Sequence, residues 1–135
     1  MPLTYAIDKD RRLVILTGSE RLTLHDFNLF QDQLLNDPSF NPEFNLLTDV
    51  TAVTDFDGST DEAKQIASRT VFSPACRRAI VAREPHVFGM ARLIHTYREM
   101  GRIGKPGDGE GVFYDLPSAL RWLGLESSHT RDRLA

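Results

Sequence analysis

The chain has 135 residues, of which 41% are hydrophobic and 26% charged, a composition typical of one folded domain and not of a disordered or fibrous chain. The net charge of −3 argues against a nucleic-acid partner, and no apolar stretch approaches the roughly 20 residues of a membrane span. With a single cysteine, Cys76, and no recognisable signal peptide, we expect a cytoplasmic protein without internal disulfides or membrane insertion.

The first half of the sequence predicts a hairpin, two helices and a third strand. Thr23 with Asp26, and Ser59 with Glu62, have the spacing of helix capping boxes. After the first capping box, apolar residues recur at helical spacing up to about residue 36, and a short apolar run typical of a strand follows before the second box. The predicted elements are strands at 4–8 and 13–18, a helix from 23 to about 36, a strand at 44–50, a polar loop at 51–58, and a helix from 59 to about 70.

The second half predicts two more pairs of strand and helix. The first of the two helices, at 86–102, has the clearest amphipathic pattern in the chain. The predicted elements are a strand at 78–82, a helix at 86–102, a Gly-rich loop at 101–111, a strand at 112–114, a helix at 117–123 and a polar tail at 126–135. The order β-β-α-β-α-β-α-β-α indicates one α/β domain over 1–125, with a mixed, mostly parallel five-stranded sheet, an N-terminal antiparallel hairpin and four helices.

Two stretches resemble the SpoIIAA-like family, which is related to STAS domains and to the CRAL-TRIO lipid-carrier fold. DVTAVTDFDGST, residues 49–60, is similar to the STAS pattern D-L-S-G-V-x-x-I-D-S-S-G, and VFYDLPSALRWLGL, residues 112–125, is similar to the family's closing strand and helix. The matching positions in the first stretch are Asp49, Thr51, Val53, Phe56, Asp57 and Ser59, and Trp122 and Leu123 match the second. The resemblance implies a SpoIIAA-like fold and a regulatory, protein-binding module without a cofactor.

In STAS antagonists of anti-sigma factors, a partner kinase phosphorylates the second serine of the S-S-G motif. The resemblance puts Ser59 at that position, although Gly58 and Thr60 depart from the motif. Ser59 is equally explained as an ordinary helix cap. The candidate interaction surface is Asp49, Thr51, Asp55, Asp57, Ser59, Asp61 and Glu62.

Two alternatives to a protein-binding module remain open. The first is a carrier of a small apolar ligand or lipid, with Phe88, Leu93 and Tyr97 as candidates for its ligand surface or for a homodimer interface. An enclosed apolar pocket beneath the helix 86–102 would favour this carrier. The second is a magnesium-dependent phosphatase that uses Asp55 and Asp57, which resemble a D-x-D-G-T motif. We expect no enzymatic activity, since the first aspartate of that motif should end an apolar strand, and the residues before Asp55, Ala52-Val53-Thr54, form only a weak strand pattern after the strand that ends near Val50.

Overall fold

A computed structural model of the chain describes residues 2–101, 104 and 109–125, and nine elements lie within them. In chain order they are β1 (Leu3–Asp8), β2 (Leu13–Thr23), α1 (Leu24–Leu35), β3 (Asn45–Asp57), α2 (Thr60–Ser68), β4 (Arg78–Val81), α3 (Pro85–Gly101), β5 (Glu110–Phe113) and α4 (Leu116–Trp122).

The five strands form one sheet in the order β1-β2-β3-β4-β5. β1 pairs with β2 in the antiparallel sense, and the other three neighbouring pairs are parallel. Helices α1, α2 and α3 each connect one parallel strand to the next, as a parallel pair requires. The predicted fold class, a mostly parallel five-stranded sheet with an N-terminal hairpin and four helices, is therefore confirmed.

The two faces of the sheet are covered by different helices. Leu16, Leu46 and Ile80 share a buried cluster with residues of α1, α2 and α3. Leu13, Leu47 and Val81 share another with residues of α4. Successive residues such as Leu46 and Leu47 belong to opposite clusters because side chains alternate along a pleated strand. The sheet is thus the middle layer, with three helices on one face and one on the other.

Local hydrogen bonds explain where the helices begin and end. The Thr23 and Ser59 side chains each accept from a backbone N–H three residues on, and both capping boxes are complete. At the end of α4, Gly124 has a positive φ of 74°, and Leu125 N donates to Leu120 O at 2.9 Å. This is the geometry of a Schellman motif, which glycine permits at low cost. The predicted caps of α1 and α2 and the predicted end of α4 are confirmed.

The prediction that a strand at 44–50 is followed by a loop at 51–58 was wrong. β3 continues to Asp57 because its second half pairs with the second half of β2, which places Phe56 opposite Leu22. Register shifts in β2 between Thr17 and Ser19 and between Glu20 and Arg21 interrupt the ladder. Buried residues therefore recur every third position, at Val50, Val53 and Phe56. Since a regular strand alternates with a period of two, the sequence pattern did not reveal this extension.

Smaller differences occur at the end of α3 and the start of β5. Gly101, where the predicted helix and the predicted Gly-rich loop overlap, lies in α3, and β5 begins at Glu110, two residues earlier than predicted. Glu110 is therefore a buried strand residue, 6% exposed, and not part of a loop. Arg102, most of the predicted loop and the predicted tail 126–135 lie outside the described residues.

Candidate functional site

A cavity of about 60 Å³ lies between the sheet and helices α1, α2 and α3. We call it the inner chamber. Its wall is mostly apolar and includes Leu16, Leu22, Phe27, Phe30, Val50, Phe56, Ile66, Ile80, Val87, Ala91 and Ile94. A space of this size could hold a few waters, at roughly 10–15 Å³ each, or a short apolar group. Because α3 contributes part of the wall, an apolar pocket does lie beneath this helix.

A second cavity of about 400 Å³, the outer cleft, adjoins the inner chamber. Thr70, Phe72, Arg78 and Arg98 line both spaces. The cleft lies at the amino ends of β4 and β5, since Arg78 and Glu110, the first residues of these strands, are in its wall. Lys64 and Tyr97 also line it, with the Lys64 ammonium 5.4 Å from the centre of the Tyr97 ring. The outer cleft therefore has more charged residues in its wall than the inner chamber has.

Gln31 is a polar residue in the wall of the inner chamber and is only 9% exposed. Its Nε2 donates to Arg69 O at 2.8 Å, whereas its Oε1 has no hydrogen-bond partner among the described residues. Arg69 is itself held against α1, because its guanidinium donates to Asn28 Oδ1 at 3.2 Å and pairs with Asp32. The amide of Gln31 is therefore fixed between α1 and the end of α2, with its oxygen unpaired.

A buried ion-pair cluster stands where the two cavities meet. Arg98 Nη1 donates to Glu110 Oε2 at 2.5 Å, and His95 Nδ1 lies 3.2 Å from Glu110 Oε1. Burial would raise the pKa of Glu110, but Arg98 and His95 outweigh burial and hold that pKa below its usual value. Arg98 Nε is buried and, among the described residues, has no hydrogen-bond acceptor. We call the inner chamber and the outer cleft together the recess. Among the described residues, its wall has one unpaired acceptor, on Gln31, and one unpaired donor, on Arg98.

Neither Gln31 nor Arg98 was predicted as a functional residue, although a signal for both exists in the sequence. Gln31 is three residues before the buried Leu34, and Arg98 is four residues after the buried Ile94. Each therefore occupies a core-facing position of an amphipathic helix, where an apolar residue is expected. A polar residue in such a stripe indicates either a satisfied core hydrogen bond or a binding group. Glu110 has no comparable signal because it lies among glycines that resemble a loop.

The predicted acidic surface is only partly assembled into one cluster. Arg21 Nη2 is 2.8 Å from Asp57 Oδ2, and Arg21 Nε is 3.6 Å from Asp55 Oδ2. His86 Nε2 lies 3.6 Å from Asp55 Oδ1. These side chains are at least half exposed, so each ion pair contributes little to stability. Asp49 instead accepts hydrogen bonds from Thr51, from its backbone N at 3.0 Å and its Oγ1 at 2.7 Å.

Ser59 lies at the start of α2 as predicted and is exposed. Its Oγ accepts from Glu62 N at 3.2 Å, while Glu62 Oε1 accepts from Ser59 N at 3.0 Å. Asp61 is exposed in the same first turn. A side chain at Gly58 would clash, since an added Cβ would lie 2.3 Å from Cε1 of Phe56. A serine at position 58 would therefore require the Phe56 ring to move.

Of the three apolar candidates on α3, only Tyr97 lines the recess. Phe88 stacks face to face on Tyr114, with ring centroids 4.0 Å apart and planes within 5°. Leu93 is half-buried against the main core cluster. The recess and the predicted apolar surface thus coincide at one residue.

The remaining chemical candidates are held in structural contacts. Asp55 and Asp57 both pair with Arg21, and the described ranges contain no group of three or more His, Cys, Asp or Glu residues that could hold a metal ion. Cys76 is buried, and its Sγ donates to Pro42 O at 3.1 Å. Burial raises the pKa of the Cys76 thiol, which keeps it in its less reactive form. Within 2–101 and 109–125, no helix has the length and apolar character needed to cross a membrane.

Sequence comparison alone finds no relative, since no model of a known protein family and no curated protein matches this chain significantly. Among solved structures, the chain is similar to an uncharacterised DUF3478-family protein with a SpoIIAA-like fold from Shewanella loihica PV-4. The two are 18% identical, the match covers 90% of this chain and 91% of that one, and the TM-score is 0.51. The protein therefore has the SpoIIAA-like fold that its sequence resembles. An identity this low establishes the fold and not the activity.

Proposed function

We propose that the protein is a non-enzymatic module that binds a small, mostly apolar ligand in the inner chamber and the outer cleft. The observation that supports this is the mostly apolar cavity beneath α3. Ligand sites in proteins are generally apolar clefts of about 300–1,000 Å³ with a few polar groups that orient the ligand. The outer cleft reaches that range, and the inner chamber extends it into the core.

The arrangement of groups in the recess fits binding better than catalysis. Burial raises the pKa of the Cys76 thiol, and the Glu110 carboxylate is paired with Arg98 and contacts His95. Neither group is therefore set up to act as a nucleophile or as a general base. The unpaired atoms of Gln31 and Arg98 are a hydrogen-bond acceptor and a donor, which orient a ligand without transforming it.

The first test is native mass spectrometry of the protein purified from its own host. We expect an added mass of a few hundred daltons or less, which disappears when the protein is unfolded and refolded in ligand-free buffer. The same spectrum reports the oligomeric state, so it also tests the homodimer hypothesis. Recovery of only the bare chain, together with no response to the small apolar probe described next, would contradict the proposal.

Xenon is a direct probe of the inner chamber, because dry apolar cavities take it up. We expect xenon to shift the amide NMR signals of α3 residues around Ala91, which is 6% exposed in the chamber wall. Ala91→Leu should fill the space and abolish these shifts, since added methyl groups occupy the cavity. Gly89→Ala is the matched control on the same helix, because a Cβ at this position has no heavy atom within 4 Å.

A second candidate function is a phosphorylation-dependent protein-binding module. It rests on the exposed Ser59 at the N-terminus of α2, next to the acidic residues Asp57, Asp61 and Glu62. A phosphate there would add about −2 charge and would change the field of this surface. Intact-mass analysis of the host protein, with Ser59→Ala as the control, tests this candidate. A phosphate found elsewhere, or none under any growth condition, would remove the support for it.

A further inference from the structure

The unpaired oxygen of Gln31 specifies one property of the ligand. Arg69 O can only accept a hydrogen bond, so the atom that donates to it must be the amide nitrogen of Gln31, and the other atom is the carbonyl oxygen. This oxygen is buried in a chamber whose wall is otherwise mostly apolar. A buried carbonyl without a donor destabilises the fold, so the site favours a ligand that supplies one. A hydroxyl is the smallest ligand group that does so.

The electrostatics around Arg98 specify a second property. Within the part of the chain that the structure describes, Arg98 Nε is a donor without a partner, so it favours an oxygen acceptor on the ligand. The positive charge of Arg98 is already matched by the carboxylate of Glu110 at 2.5 Å. A ligand carboxylate at Arg98 would lie near a second negative charge in a region with little solvent, which is unfavourable. A neutral oxygen meets the donor without this repulsion.

We infer that the ligand is an uncharged, mostly apolar alcohol, whose hydroxyl donates to Gln31 Oε1 and which offers a neutral oxygen to Arg98 Nε. This inference rests on the proposed function, because it identifies the chemical class of the ligand bound in the same recess. It separates the site from one for fatty acids, which would be anionic, and from one for plain hydrocarbons, which would leave both polar atoms unpaired.

Three matched probes test the inference on the unmodified protein: 1-hexanol, hexyl methyl ether and hexanoate, each titrated while amide NMR shifts are followed. We expect 1-hexanol to bind more tightly than the ether by on the order of tenfold, since the ether cannot donate to Gln31. Hexanoate should bind more weakly than 1-hexanol because of Glu110. Equal affinity for alcohol and ether, or tightest binding of hexanoate, would overturn the inference and leave the proposed function standing. If none of the probes binds and xenon also fails to enter, the proposed function itself is wrong.

A variant then assigns the preference to Gln31. Gln31→Leu should bind the ether at least as well as the wild type does and should lose the preference for 1-hexanol. Asp32→Ala is the control: it removes one of the two α1 residues that bind the Arg69 guanidinium and leaves Asn28, and Asp32 is exposed and does not line either cavity. A Gln31→Leu protein that keeps the tenfold preference would overturn the inference. If this variant fails to fold, the comparison of probes on the unmodified protein still decides.

Discussion

The two faces of the sheet are built differently, although the same five strands supply both. On the α4 face, Leu47, Ala79, Val81, Ala119 and Leu120 are all completely buried and apolar. The face covered by α1, α2 and α3 contains the inner chamber and the buried polar residues Gln31 and Thr48. Tight apolar packing favours stability, whereas a cavity with unpaired polar atoms reduces it. Both faces stabilise the fold, and the larger buried cluster lies under α1, α2 and α3, but that face also contains the space available for binding.

Polar contacts at the edge of the α4 face attach α4 to the sheet. Trp122 Nε1 donates to Arg78 O at 3.0 Å, and the Arg77 guanidinium donates to Trp122 O at 2.8 Å. The Arg77 guanidinium also lies 5.5 Å from the centre of the Trp122 ring. A helix of seven residues is too short to be stable by itself, so these contacts and the burial of Leu120 keep it on the sheet.

Leu120→Ala should have the largest effect on stability and should leave the binding face intact. Because Leu120 is completely buried, we expect a loss of about 3 kcal/mol in the free energy of unfolding, measured by urea denaturation. Leu35→Ala is the control, since Leu35 is 57% exposed and should cost less than about 0.5 kcal/mol. Folded Leu120→Ala protein should still take up xenon. A loss below that of Leu35→Ala would show that the α4 face contributes little to stability.

Glu110→Gln should destabilise the protein by about 2–3 kcal/mol, because it leaves Arg98 without its buried counter-charge. It should also change the response to acid. The pKa of Glu110 is lowered in the folded state, so its contribution is complete above the unfolded value near 4.5 and is lost as pH falls from there through the folded pKa.

Urea denaturation between pH 7 and pH 3 measures both effects of Glu110→Gln. The wild type should lose stability below about pH 4.5, and the variant should lose less over the same interval because one titrating carboxylate is gone. Parallel curves for the two proteins would mean that Glu110 is not held as an ion pair. The outcome therefore tests whether the cluster of Arg98, His95 and Glu110 stabilises the binding face.

Ser59→Ala should have the smallest effect, a loss of about 1 kcal/mol from the N-cap of α2. Ser59→Asp should recover most of this loss, because aspartate is also a good N-cap and its charge is favourable at a helix N-terminus. Thermal unfolding of the three proteins measures the series. If Ser59→Ala unfolds at the same temperature as the wild type, the capping role of Ser59 is minor, and its place at an exposed helix start would need another explanation.

Much of the fold could be predicted because its signals are local. Both capping boxes connect residues three apart, and the end of α4 depends on one glycine with positive φ. The extension of β3 could not be predicted in this way, because residues 52–57 are strand only through pairing with 19–23, more than 30 residues earlier. The packing of Phe56 over Gly58 depends on the same pairing, as it lies within the extended part.

The candidate site was predicted less well than the fold, for the same physical reason. Ser59, Asp55 and Asp57 were found because they follow one another in the sequence and resemble a known motif. Gln31, Arg98 and Glu110 lie in three separate elements and meet only in the folded protein. The apolar stripe on α3 predicted a buried face, but it could not indicate that a space remained beneath it.

The order of the elements, the helix caps and the resemblance to a SpoIIAA-like fold could be predicted because they depend on residue spacing within short segments. The position of the recess between the sheet and α1, α2 and α3, and the lack of a partner among the described residues for two polar atoms in it, result from the packing of distant elements. A cavity is a property of how distant surfaces fail to fill the space between them. Whether a buried polar atom has a partner likewise depends on every element that surrounds it.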